Sequence, residues 1–254
     1  MHNVEQPEPS PAFVSAWRAA ALHLNGQGGD SIRWLRAHLD QPFAEHLSFL
    51  LGNQLFFVYV QAEEFAQCPT AEVFLRVSKR ANAIPCLLPM QVSGNDWYPA
   101  LTGWGLRHGI NEQPVDPADL VSDQKILMSD WEVHDVGMQV VTQHLQAQGK
   151  DVFSKQPDPD LYPQLWFESE GERSWVLVRS SRSSGTAPTI AATERGVIDQ
   201  LITFAPLGFF ASVVVVADGA NMDGDNVDSD MPPLYRGYPL QVSFSGLQSI
   251  STLN

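Results

Sequence analysis

At 254 residues, with 44% hydrophobic and 17% charged residues, the chain can bury an ample core in one large or two small domains, and its composition excludes a disordered polymer. Its formal net charge of −14 argues against ordinary DNA or RNA binding, because a surface this acidic repels phosphate backbones unless a basic patch or a metal compensates. The same charge suits a basic protein partner.

Residues 1–10, "MHNVEQPEPS", are acidic and proline-rich. They read as a disordered lead without the basic and apolar regions of a secretory signal. The longest apolar run, Gly208 to Ala217, is about half the length of a membrane-spanning helix. A soluble, cytoplasmic protein is therefore expected, with no membrane partner. "SPAFVSAWRAAALHL" predicts a helix with Ser10 as N-cap and Pro11 at its first position. "SIRWLRAHLD" and "PFAEHLSFLLG" read as two short helices split before Pro42. "NQLFFVYVQ" is a strand, "PTAEVFLRVSKRAN" a helix and "AIPCLLPMQ" a second strand. A further strand pair falls between Asp96 and Arg107. No repeat is visible in the residues themselves.

A polar, proline-containing connector, "NEQPVDPADLVSDQ", marks a boundary near residue 125. The expected organisation is a lead (1–10), a smaller mixed helix/strand unit (11–125) and a C-terminal unit (126–254). The second unit opens on a capping box, Ser129 with Glu132, and its helix stops at Gly149. Strands follow at "KDVFS", "PQLWFES" and "RSWVLVRSS", the last two joined across "EGE" as a hairpin. "TIAATERGVIDQLITFAPLG" predicts a helix with Ser184 or Thr193 near its start. "GFFASVVVVAD" predicts a strand apolar on both faces, and "YPLQVSFSGLQSI" an edge strand. The fold class is mixed α/β, with a three-layer C-terminal half.

Several residues have a chemistry to weigh. Cys68 and Cys86 are far apart and flanked by apolar sequence, so buried reduced thiols are expected. A disulfide or a nucleophile is the alternative, but "AIPCLLPMQ" supplies no histidine to activate Cys86. The segment "DGANMDGDNVDSD" offers Asp223, Asp225 and Asp228 to a Ca²⁺ ion, without the spacing of an EF-hand; a solvated loop explains it as well. In "DWEVHD", Asp130 and His134 are four apart on one helix face, but exposed polar residues at a helix start are the expected account. Serine-nucleophile elbows and phosphate-binding glycine loops are missing from the sequence. In the first half, Trp97, Trp104 and Arg107 are candidates for a small-molecule site, against a glycine-bent strand at "GWGLRHG".

The order helix, hairpin, strand, helix, strand over residues 129–218 resembles the core of restriction-endonuclease-like domains. That family carries an acidic residue in a "PD" corner and D/E-x-K on the next strand, often with a glutamate on the preceding helix. The resemblance places Glu132 on the helix, Asp160 (or Asp158) in the corner, and Leu177-Val178-Arg179 at the D/E-x-K strand. It implies Mg²⁺ held by carboxylates and a cation that orients the attacking water. Leu177 stands where the second carboxylate belongs, and Arg179 cannot act as a base. Glu168 on the neighbouring strand is the fallback metal ligand. The alternative is a structural hairpin in which Arg179 pairs with Asp160 or Glu132. The expected function is therefore a non-catalytic acidic interaction module, of which an immunity- or antitoxin-like neutraliser of a basic toxin is one form, with no cofactor. A Mg²⁺-dependent nuclease using Glu132, Asp160 and Arg179, and a small-molecule-binding first half, are the alternatives.

Overall fold

A computed structural model describes residues 9–37, 46–62, 71–156, 158–169, 171–182, 187–218 and 233–252. The expectations for Cys68, Ser184, Asp223, Asp225 and Asp228 lie outside these residues, as does most of the lead. The described residues up to 126 form one compact unit, and those from 127 onward form another.

The first unit opens with α1 (Pro11–Gly28), capped by Ser10, whose hydroxyl accepts from the Phe13 N–H at 3.2 Å. Ala16, Trp17, Ala20 and Leu24 are its buried stripe. The two short helices expected next are strands: β1 (Ile32–Arg36) and β2 (Leu47–Leu51). For β2 the physical reason is burial on both faces, and β1 is the half-buried edge strand that pairs with it. β2 lies between two other strands, and all five of its residues are buried. A short run apolar on both faces carries no periodicity that separates strand from helix. Then come β3 (Gln54–Gln61), α2 (Ala71–Arg80), β4 (Ile84–Ser93), β5 (Asp96–Pro99), β6 (Leu106–His108) and β7 (Pro114–Val115). The sheet order is β1-β2-β3-β4-β6-β7, and β5 also pairs with β4. β5 and β6 thus both exist, but each pairs with β4 and not with the other. Phe49, Phe56, Val58 and Leu88 build the core beneath α1. Cys86 is a free thiol inside that core, and burial pushes its pKa up to about 12, so it stays protonated.

The second unit contains α3 (Asp130–Ala147), β8 (Asp151–Lys155), β9 (Leu165–Ser169), β10 (Glu172–Ser181), α4 (Arg195–Phe204), β11 (Leu207–Ala217), β12 (Leu240–Phe244) and β13 (Gln248–Ser249). Its sheet order is β12-β11-β10-β9-β8, with β13 also on β11. β10 and β11 are parallel, joined through α4, and the other pairs are antiparallel. Strand alternation sends Val176, Val178, Ala211 and Val213 toward α3. Trp175, Leu177 and Phe210 face the other way and pack under Ile198 and Leu201 of α4. The result is a helix on each face of a mixed sheet.

The two units share one plan. Each runs helix, three antiparallel strands, helix, a strand parallel to the third, then an antiparallel strand. Each lays its first five sheet positions in the same order. The chain thus carries a structural repeat that its residues do not display.

The Trp175 indole is wholly buried and donates to the Ala205 carbonyl at 2.8 Å. It lies over Gly208, its neighbour in the parallel pair, where an added Cβ would come within 2.2 Å of the ring. Gly208→Ala is expected to destabilise the unit by about 1–3 kcal/mol through overpacking. Urea unfolding measures this, and an unchanged midpoint would refute it. No helix among the described residues is long and apolar enough to cross a membrane.

Candidate functional site

The "PDPDLYPQ" corner is organised by its last residue. Gln164 is fully buried, just before β9 begins. Its side-chain oxygen accepts from the Val178 N–H at 3.0 Å, filling the place a longer strand would have taken. Its amide donates to Leu161 O at 2.7 Å and Pro159 O at 3.4 Å. One side chain therefore fixes both the end of the β9–β10 pair and the loop that carries Asp160. Asp158 adds a local turn by accepting from the Asp160 N–H at 3.0 Å. The Tyr162–Pro163 peptide bond in this loop is cis.

Arg179 leaves β10 on the α4 face. Its guanidinium bonds the buried Glu194 carboxylate and donates to Val178 O at 2.7 Å. It also lies 4.9 Å from the centre of the Tyr162 ring. Glu194 sits just ahead of α4, and its second oxygen accepts from the Ala191 N–H at 2.7 Å. Burial raises the Tyr162 hydroxyl pKa; Arg179 lowers it, and Glu194 and Asp160 raise it further. The expected partners of Arg179 were Asp160 or Glu132, and its ion pair is with Glu194.

Glu132 is buried and fully engaged. Its carboxylate takes Arg236 in a two-pronged bond, Nε to Oε1 at 2.7 Å and Nη2 to Oε2 at 2.8 Å. Oε2 also accepts from the Ser129 N–H at 2.8 Å and the Ser129 hydroxyl at 3.0 Å, closing the capping box. A cation would have to displace an arginine that is itself only 3% exposed.

His134 lies one turn from that capping box on α3. The helix start was expected to be exposed, but Trp131, Glu132, His134 and Asp135 are all buried, and only Asp130 projects outward to pair with Arg182 at 2.8 Å. They are buried because this first turn lies against the sheet and the 234–236 segment, which pairs with residues 127–128. The His134 Nε2 has no hydrogen-bond partner among the described residues. Burial lowers the His134 pKa to about 4; the nearby Arg179 charge lowers it and Asp160 raises it. The imidazole is neutral at pH 7.

The remaining candidates separate. Asp160 is exposed, and its charge reaches His134 and Tyr162. Glu168 is exposed, opposite Arg173 on β10. That register puts it six residues, or about 20 Å, from Arg179 along the hairpin. Trp97 and Trp104 pack against the core of the first unit, where Trp104 stacks on Phe49 at 6.2 Å and its carbonyl meets the His23 ring at 3.2 Å. Arg107 follows the buried Leu106 on β6 and so projects from the opposite sheet face. These three do not converge. Among the described residues, no three His, Cys, Asp or Glu side chains are placed to hold a metal ion.

Three residues that organise the site carry little sequence signal. Glu194 marks a helix start in "AATERG" but names no partner. Arg236 lies 104 positions from Glu132, beyond an acidic segment. Gln164 is an uncharged residue in a motif read for its charges. A family described as Domain of unknown function (DUF8840) matches residues 131–250, which span Glu132, His134, Asp160, Gln164, Arg179, Glu194 and Arg236. No curated protein matches the chain, and no solved structure matches it.

Proposed function

We propose that the chain is a non-catalytic acidic interaction protein whose second unit is a restriction-endonuclease-like frame without a hydrolytic metal site. The commitment of Glu132 to Arg236, and of Arg179 to Glu194, carries this reading. Mg²⁺ needs several free hard oxygen ligands, and Glu132 has given its own to an arginine and a helix cap. Arg179 is held and cannot deprotonate. Two further observations support it. The element order and the helix on each face agree with the resemblance. The same plan occurs in the first unit, where β3, "QLFFVYVQ", has no charged residue at all, so the plan does not imply hydrolysis.

The net charge of −14 points to a basic protein as partner, with association steered by charge and weakened by salt. The direct test incubates the purified chain with Mg²⁺ or Mn²⁺ and end-labelled single- and double-stranded DNA and RNA. No cleavage above the metal-only control is expected. Metal-dependent cleavage that Asp160→Ala abolishes would overturn the proposal.

A further inference from the structure

We infer that the cleft between α4 and the β11–β12 end of the second sheet is a small-molecule site for an apolar chain ending in a carboxylate. This goes beyond the proposed function and does not depend on it.

The cleft follows from the strand register. β11 pairs with β12 through residues 213–217 and with β13 through 209–210. Between these stretches the chain loops away through Ser245 to Leu247, with Gly246 at φ +97°, and leaves Ser212 without an antiparallel partner strand on that side. α4 packs over Trp166, Trp175, Leu177 and Phe210, and Ser212 and Val214, further along β11, line the open space beside it. What remains is a cleft of about 940 Å³. That is within the roughly 300–1,000 Å³ range of small-ligand pockets.

Its chemistry is that of an amphiphile site. Phe210 and Val214 of β11 form the floor, with Ile198 of α4 and Ile190 as walls. Ser212 lies between the two floor residues on the same strand face, and its hydroxyl is buried without a hydrogen-bond partner among the described residues. A buried hydroxyl in that state is costly, and rotating it toward the cleft to meet a ligand oxygen would remove the cost. Arg195, at the start of α4, lines the same cleft, is exposed, and makes no ion pair with a described residue. It supplies the cation for a carboxylate. Asp199, one turn further along α4, also lines the cleft and opposes a second negative charge.

Decanoate and 1-decanol serve as probes in isothermal titration calorimetry with the full chain, below their aggregation limits. Decanoate is expected to bind saturably at one site per chain and about tenfold more tightly than decanol, as for a charge-assisted contact. Arg195→Gln should bring decanoate down to the decanol level, and Asp199→Asn should tighten decanoate. Val214→Trp fills the floor and should abolish both. Ser212→Ala, which removes an unsatisfied hydroxyl and keeps the fold, should weaken both about fivefold. It stands in for Val214→Trp if that variant does not fold. No saturable heat with either probe overturns the site. So does binding that both Val214→Trp and Ser212→Ala leave unchanged. Equal affinity for the two probes, insensitive to Arg195→Gln, overturns the carboxylate assignment.

Discussion

Glu132→Ala is expected to destabilise the second unit by about 3–5 kcal/mol, the cost of leaving a buried arginine without its counter-ion. Arg236 is buried and donates two bonds to this one carboxylate. The same substitution removes the acceptor of the Ser129 N–H and so opens the capping box at the start of α3. Arg236→Met should cost less than Glu132→Ala, because the capping box keeps Glu132 partly satisfied. The double variant Glu132→Met/Arg236→Met should be far less destabilised than the Glu132→Met and Arg236→Met effects added together, since an apolar pair of similar volume can replace a buried ion pair. Chemical denaturation of wild type, the two single methionine variants and the double gives the coupling. Additive effects, or a Glu132→Ala variant within about 1 kcal/mol of wild type, would show that the pair is not structural.

Acidification should destabilise the chain through histidines that the fold holds neutral. The folded His134 pKa, about 4, lies below the ordinary 6.5. The unfolded state therefore takes up the proton first. The stability contributed by neutral His134 is complete above about pH 6.5, is lost as the pH falls from there toward 4, and changes no further below that. At about 1.4 kcal/mol per pKa unit, the loss is roughly 2 kcal/mol by pH 5 and about 3 in full. Arg179 opposes the proton and Asp160 favours it, so Asp160→Asn should carry the loss to lower pH and make it larger in full. His46 in the first unit behaves alike. It stacks on Phe57 at 4.3 Å, and burial with the Arg36 charge lowers its pKa to about 3. Urea midpoints at pH 7 and pH 5 for wild type and His134→Phe isolate the contribution. A variant that loses as much stability as wild type between the two pH values would refute it.

Much of the second unit was legible because its signals are local. The capping box of α3, the glycine at the β9–β10 turn and the apolar run of β11 each fix one element without reference to the rest. The first unit was less legible at β2, which is buried on both faces, and at β1, a half-buried edge strand. That misassignment hid the repeat, since with two helices in their place the shared plan disappears. The candidate site failed differently. The positions of Glu132, Asp160 and Arg179 follow from the element order, but the partners of Glu132 and Arg179 are set by tertiary structure. Arg236 reaches Glu132 from near the other end of the unit, and Glu194 reaches Arg179 from the turn before α4. Spacing along a chain cannot show that a carboxylate is already occupied.

That occupancy is best tested by the electron paramagnetic resonance signal of free Mn²⁺, titrated with the purified chain. Free Mn²⁺ should fall equally with wild type, Asp160→Ala and Glu132→Gln, because neither carboxylate contributes to a metal site. Stoichiometric uptake by wild type, lost in both variants, would contradict the claim that these positions serve structure and not metal-assisted hydrolysis.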